Sequence, residues 1–79
     1  MAKSHPVQEY DAALKARAVH FTAFQFRGRG ERRKTENLPS LESARAEAAV
    51  ILSENAGRPV AIYAVDAAGM QAHIENITA

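Results

Sequence analysis

The residues of this chain best suited to chemistry are basic, and they are concentrated in one short segment. Between Arg27 and Lys34 the sequence RGRGERRK holds five basic residues and one acidic residue, a local charge of +4. The whole chain has a formal net charge of +1, so the other residues together carry −3. Arginine and lysine bind phosphate oxygens through charge-assisted hydrogen bonds, and such contacts supply much of nucleic-acid affinity. The segment predicts a nucleic-acid site at Arg27, Arg29, Arg32, Arg33 and Lys34.

The same charges have a purely structural interpretation. A solvated turn, or an edge strand kept from aggregating by its charges, has this composition as well. The glycines Gly28 and Gly30 belong to neither the G-x-x-x-x-G-K-[ST] nor the G-x-G-x-x-G pattern, so no nucleotide-phosphate loop is predicted.

Other kinds of site find little support in the sequence. The chain has no cysteine, which excludes disulfides and thiolate metal sites. Its histidines are His5, His20 and His73, and no carboxylate stands at a fixed helical spacing from the latter two. Nothing in this sequence orders a serine, a histidine and a carboxylate into a catalytic arrangement. We therefore expect no catalytic residues, no metal and no cofactor.

The element that the sequence specifies most clearly is a helix over Ser40–Gly57. Ser40 is a good N-cap, and Pro39 disfavours helical conformation in the residue before it. Gly57 is expected to end the helix in the left-handed conformation. Helical periodicity places one apolar face toward a sheet, formed by Leu41, Ala44, Ala48, Ile51 and Leu52.

Four segments have strand character. Val19–Arg27 and Pro59–Asp66 are rich in β-branched and aromatic residues. Both have two largely apolar faces, which is typical of strands covered on both sides. After a tight turn at 27–30, Glu31–Asn37 is expected to return as a polar edge strand, with a loop as the alternative. Met70–Ile77 follows a turn at 66–69, and its alternation places Met70, Ala72 and Ile74 opposite Gln71, His73 and Glu75.

These elements predict one small α+β domain over residues 7–79, preceded by a disordered tail at 1–6. The predicted order is α-β-(β)-α-β-β. A three- or four-stranded antiparallel sheet packs on the central helix, and a short helix lies at Val7–Ala18. We expect that N-terminal helix, or a second subunit, to cover the other apolar face of the sheet.

The stretch from Phe21 to Ala48 is a strand, a basic turn and then KTENLPSLESARAEA. It resembles small bacterial modules in which a hairpin precedes a "T-x-x-L-x-S-L-E-x-A" helix. Some are uncharacterised ββαββ-type domains, and others are the arm-type DNA-binding domains of phage integrases, whose sheet enters the major groove. The resemblance implies a hairpin packed on a helix and, for the integrase modules, contact with DNA.

Two functions follow as expectations. The first is a non-enzymatic interaction domain that homodimerises through the second apolar sheet face, with Phe24, Phe26, Tyr63 and the outward-pointing Val50 as interface residues. The second is a nucleic-acid-binding accessory domain that uses the basic turn. No apolar run approaches the length of about 20 residues that spans a bilayer, and the N-terminus lacks a signal-peptide core, so we expect a cytoplasmic protein with no membrane partner.

Overall fold

The computed structural model describes residues 13–79. A helical turn, α1, occupies residues 13–16. It is followed by β1 (His20–Gly28), β2 (Glu31–Leu38), α2 (Leu41–Glu54), β3 (Val60–Val65) and β4 (Gln71–Ile77). The strands form one antiparallel sheet in the order β2-β1-β3-β4. The α+β class and the element order are confirmed, and the segment after the basic turn is a strand. The predicted tail and the beginning of the predicted N-terminal helix lie outside the described residues.

α2 begins where the sequence predicts. Ser40 is the N-cap: its Oγ accepts from the backbone N–H of Ser43 at 3.0 Å, and the Ser43 hydroxyl oxygen accepts from the Ser40 N–H at 3.0 Å. This reciprocal pair satisfies two otherwise free amides of the first turn. The predicted apolar face is confirmed, because the core joins buried α2 residues to β1 and β3 and consists of Ala23, Ala44, Ala48, Ile51, Val60 and Ile62.

The end of α2 differs from the expectation. The helix stops at Glu54 with Asn55 as an extended C-cap, and Gly57 does not adopt the left-handed conformation. Gln25 of β1, a fully buried residue, bonds to the chain just beyond this end. Its Nε2 donates to the carbonyl oxygens of Asn55 at 2.7 Å and Arg58 at 2.8 Å. The Gln25 amide therefore holds the segment after α2 against the sheet, while the Asn55 N–H makes the last helical bond to the Ile51 carbonyl oxygen at 3.1 Å.

β4 departs from strict alternation. A bulge lies between the pairs that Ile62 and Tyr63 make with β4, so Ile62 faces Glu75 and Tyr63 faces His73. Ile74 still packs on the core, and Glu75 is turned toward α2, where its carboxylate accepts from Arg45 at 2.7 and 3.0 Å. A bulge adds one residue to a strand and re-aims the side chains beyond it, which is why the predicted placement of Glu75 was wrong.

The turn between β3 and β4 is organised by Asp66, which is 5% exposed. Its Oδ1 accepts from the backbone N–H groups of Ala68 at 3.0 Å and Met70 at 2.9 Å, and its Oδ2 accepts from Arg17 Nε at 3.2 Å. Burial raises the pKa of Asp66, but these hydrogen bonds outweigh that effect and hold its pKa below the ordinary value. Asp66 thus ties the segment after α1 to the end of the sheet.

α1 packs on the same side of the sheet as α2. Leu14 is fully buried against Ala64 and Ala72, and Phe21 and Ile74 contact both this cluster and the α2 core. The expectation that the N-terminal helix covers the second face is therefore wrong for its described part, because Leu14 completes the core beside α2. No helix within residues 13–79 is long and apolar enough to cross a membrane.

Candidate nucleic-acid interface

The side of the sheet opposite α1 and α2 is the candidate site, and we call it the helix-free face because no helix of residues 13–79 lies on it. The register and the alternation of the strands give its residues: His20, Thr22, Phe24 and Phe26 from β1, Arg32, Lys34 and Glu36 from β2, Ala61, Tyr63 and Val65 from β3, and Gln71, His73 and Asn76 from β4. Aromatic side chains occupy the two central strands, and the cations lie on the edge strand β2. The face therefore carries apolar, polar and charged side chains together. It is less apolar than the sequences of the two central strands alone predict.

The register brings each aromatic ring of β1 next to a cation. Phe24 lies directly opposite Lys34, and Phe26 lies opposite Arg32. On its other side β1 pairs with β3, where Tyr63 lies opposite Thr22. Side chains directly opposite each other on one face have Cβ atoms roughly 5 Å apart, so the rings and the cationic groups form one continuous strip.

This strip contains an open groove of about 310 Å³, lined by Thr22, Phe24, Arg32, Lys34, Tyr63 and Gln71. Two aromatic rings, two cations, a hydroxyl and an amide therefore converge on one concavity. Such a set offers stacking surfaces for a planar group, positive charge for an anion and polar atoms for hydrogen bonds.

The ring of Tyr63 is supported from the β4 side. His73 packs edge-on against it, with ring centroids 5.5 Å apart and planes at 70°. His73 in turn lies with Nε2 at 2.9 Å from Asn76 Oδ1, so the histidine has a structural partner. Within residues 13–79, no group of three or more His, Cys, Asp or Glu side chains is placed to hold a metal ion.

Two of the five predicted basic residues lie on the α2 side of the sheet. Arg27 binds Glu54 through Nη2 at 2.9 Å and donates from Nε to Gln25 at 2.8 Å. Arg33 binds the same Glu54 through Nε at 3.2 Å and approaches Glu47 at 3.4 Å. Hydrogen bonds from both arginines lower the pKa of Glu54, and the bond from Arg27 has the larger effect. The structure thus assigns these two arginines to fastening α2 onto the hairpin.

The other three predicted basic residues lie on the helix-free face or at its end. Lys34 is 3.5 Å from Glu36 of the same strand. Arg29 and Arg32 form no ion pair with any residue in the range 13–79. Arg29 lies in the turn between β1 and β2 with φ 53°, followed by Gly30 with φ 78°. Positive φ at both central residues is the pattern of a type I′ hairpin turn, and it projects Arg29 from the end of the sheet.

A further cation at this end was not predicted from the sequence. The guanidinium carbon of Arg58 is 5.5 Å from the centroid of the Phe26 ring, within cation–π distance. A Cβ at Gly28 would be 3.4 Å from Arg58 Nη2, so this glycine lets the arginine lie close to the turn. Arg58 is far from the basic run in sequence, and only the pairing of β1 with β3 brings it there.

The predicted interface residues do not form one surface. Phe24, Phe26 and Tyr63 are all on the helix-free face, and Phe26 is 51% exposed. Val50 is 48% exposed on α2, on the other side of the molecule. A contact that uses the aromatic residues therefore does not include Val50.

No protein-family model matches this chain, and the comparisons with curated proteins and with solved structures likewise find no match. The resemblance to small bacterial modules and to integrase arm domains therefore stays a prediction.

Proposed function

We propose that this protein is a non-enzymatic nucleic-acid-binding domain whose binding surface is the helix-free face of its sheet. The observation that carries the proposal is the register that sets Phe24 opposite Lys34 and Phe26 opposite Arg32. Proteins that bind nucleic acids on a sheet combine aromatic surfaces for bases with cations for phosphates. Both are present in one strip here.

The distribution of charge supports the same surface. The carboxylates of Glu47, Glu54 and Glu75 are bonded to arginines on the α2 side, whereas Glu36 is the one carboxylate on the helix-free face within residues 13–79. Cations lie along this face and at its end, where a phosphate backbone would run. They are Arg29, Arg32, Lys34 and Arg58. A negative ligand is therefore favoured on this side of the sheet.

The experiment that tests the proposal compares charge-matched variants. The affinity of a fluorescein-labelled oligonucleotide is measured by anisotropy at increasing NaCl for the native protein and for the double variant Arg29→Ala/Arg32→Ala. For four phosphate contacts, the log–log slope is expected to be about 3 to 3.6 in magnitude. The double variant should bind more weakly, with a slope smaller by about 1.4 to 1.8.

The matched control is Lys15→Ala/Arg45→Ala, which removes the same charge from α1 and α2. Both residues are exposed and lie on the other side of the sheet. This variant should retain the native affinity and slope. Absence of salt-dependent binding by the native protein, or an equal loss in both double variants, would contradict the proposal.

A second candidate function is self-association through the same face. It is favoured by the exposure of Phe26 and by the aromatic residues Phe24 and Tyr63 beside it. A homodimer should then appear in sedimentation equilibrium at high micromolar concentration, and Phe26→Glu should return it to a monomer. A native protein that is monomeric throughout that range would exclude this candidate.

A cytoplasmic location, expected from the sequence, belongs to the proposal as well. That compartment contains RNA and therefore supplies a ligand of the proposed kind. Fractionation of cells that express the tagged protein tests it, with recovery in the membrane or secreted fraction as the contrary result.

A further inference from the structure

We infer that the helix-free face is built for single-stranded nucleic acid, with bases stacked on Phe24 and Tyr63 and phosphates held by Arg32 and Lys34. This inference rests on the proposed function and adds the class of ligand to it. Its basis is the shape and composition of the groove, in addition to the charge.

The stacking surfaces lie inside a concavity. Phe24 and Tyr63 line the groove of about 310 Å³ from the two central strands, and Thr22 lies directly opposite Tyr63, two residues before Phe24. Along a duplex, bases are stacked on one another and expose only their edges, so the ring faces of Phe24 and Tyr63 find a counterpart only at the two ends of a duplex. Unpaired bases do present their faces, and proteins that bind single strands stack them on aromatic side chains.

The cations lie along one wall of the groove. Arg32 and Lys34 both belong to β2, while Gln71 of β4 closes the opposite side. A strand whose phosphates follow β2 would direct its bases over β1 and β3, where the aromatic rings are. A groove with charge along a single wall fits one phosphate backbone and not the two of a duplex.

The groove also has atoms that can read the edges of a base. Gln71 lines the groove and is exposed, so its amide can donate to a base edge or accept from it. Thr22 also lines the groove but is 2% exposed, so it forms part of the floor. Donors and acceptors beside a stacking ring orient the base.

Phe26 extends the strip toward the end of the sheet. It follows Phe24 by two residues on the same face, is 51% exposed, and has Arg58 5.5 Å from its ring centroid. The Arg58 guanidinium lies over this ring, so a base that stacks on Phe26 shares the site with a cation. The strip therefore runs from Tyr63 through Phe24 to Phe26.

The test compares a mixed-sequence single-stranded oligonucleotide with the blunt duplex formed from it, at moderate salt. The native protein should bind the single strand at least about 10-fold more tightly, since one stacked base contributes roughly 1–3 kcal/mol. Phe24→Leu and Tyr63→Leu keep an apolar side chain and remove the ring. Each should weaken single-strand binding by about 5- to 150-fold and leave duplex binding unchanged.

Val50→Ala is the control, because it shortens an exposed apolar side chain on the opposite side of the molecule; it should leave both affinities unchanged. If a leucine variant fails to fold, the ring protons of Phe24 and Tyr63 in the native protein provide a second measurement, and they should shift upfield when the single strand is added. Equal affinity for both oligonucleotides, or leucine variants that fold and bind like the native protein, would overturn the inference while the proposed function stands. Absence of binding to either oligonucleotide would overturn the proposed function itself.

Discussion

Arg32 and Arg33 are adjacent on β2, and the alternation of the strand places their side chains on opposite sides of the sheet. Arg33 Nε is 3.2 Å from a carboxylate oxygen of Glu54 on α2, and its Nη1 donates to Thr35 at 2.9 Å. Arg32 lines the groove of the helix-free face, opposite Phe26. Two residues of the same type at consecutive positions thus have different surroundings.

This pair gives the first prediction. Arg32→Ala should weaken nucleic-acid binding and leave the melting temperature unchanged, because its side chain has no ion-pair partner within residues 13–79. Arg33→Ala should lower the melting temperature and leave binding nearly unchanged, because it removes a link between α2 and the hairpin. Thermal unfolding and oligonucleotide anisotropy on the same two samples check it. Equal effects of the two substitutions in either assay would contradict it.

Gln25 gives the second prediction. Gln25→Ala removes the donors of two hydrogen bonds to the carbonyl oxygens of Asn55 and Arg58, at a fully buried position. The loss of these two part-buried hydrogen bonds should lower the free energy of unfolding by about 1–3 kcal/mol, measured by urea denaturation. Gln71→Ala, at an exposed position, is the control and should change this free energy by less than about 0.5 kcal/mol. A Gln25 variant as stable as this control would refute the role given to the side chain.

The third prediction concerns acid stability. The pKa values of Glu54, Asp66 and Glu75 are all lowered in the folded protein. The unfolded chain therefore binds more protons than the folded protein in the acidic range, so stability falls as the pH decreases. The contribution is fully present above the ordinary carboxyl values of 3.8 and 4.5, and it disappears as the pH falls through the lower folded values. The melting temperature should decline steeply below about pH 5.

Glu54→Gln isolates one of these carboxyls. It removes the titrating group that Arg27 and Arg33 share, so the melting temperature at neutral pH should be lower than in the native protein and its decline in acid should be shallower. Glu42→Gln, at an exposed position in the first turn of α2, serves as the comparison, because it removes the same charge without breaking an ion pair within residues 13–79; its melting temperature at neutral pH should stay closer to that of the native protein. An unchanged acid slope in Glu54→Gln would contradict the assignment.

Arg29 gives the fourth prediction. It has φ 53°, a left-handed conformation that costs most residues about 1–2 kcal/mol and that asparagine tolerates better. Arg29→Asn should therefore raise the free energy of unfolding by up to about 1 kcal/mol and weaken nucleic-acid binding. Stability and affinity moving in opposite directions is the signature of a residue retained for binding. A variant that is less stable and binds equally well would exclude that explanation.

Much of the fold can be predicted from local signals. The Ser40 cap, the apolar face of α2 from Leu41 to Leu52 and the strand propensity of β1 and β3 are each encoded within a few residues. The division of β1 into two faces also follows from alternation, which places Phe24 and Phe26 on one side of the sheet and Ala23 on the other.

The rest depends on interactions between segments distant in sequence. The segment after α2 is held by Gln25, some 30 residues earlier, and the position of Glu75 depends on a bulge in β4. Arg58 joins the site only through the pairing of β1 with β3. The separation of Arg27 and Arg33 from Arg32 and Lys34 requires knowing which side of the hairpin α2 covers, and a run of basic residues does not contain that information.

The most direct test of the central claim is a ¹⁵N–¹H NMR titration of the native protein with a single-stranded oligonucleotide at low and then at moderate salt. The account predicts that the amide resonances of Thr22–Phe26, Arg29–Lys34, Arg58 and Tyr63 shift, that the changes diminish with salt, and that the amides of Ala44–Val50 on α2 do not move. Shifts concentrated on α2, or none at low salt, would contradict the assignment of the helix-free face as a nucleic-acid-binding surface.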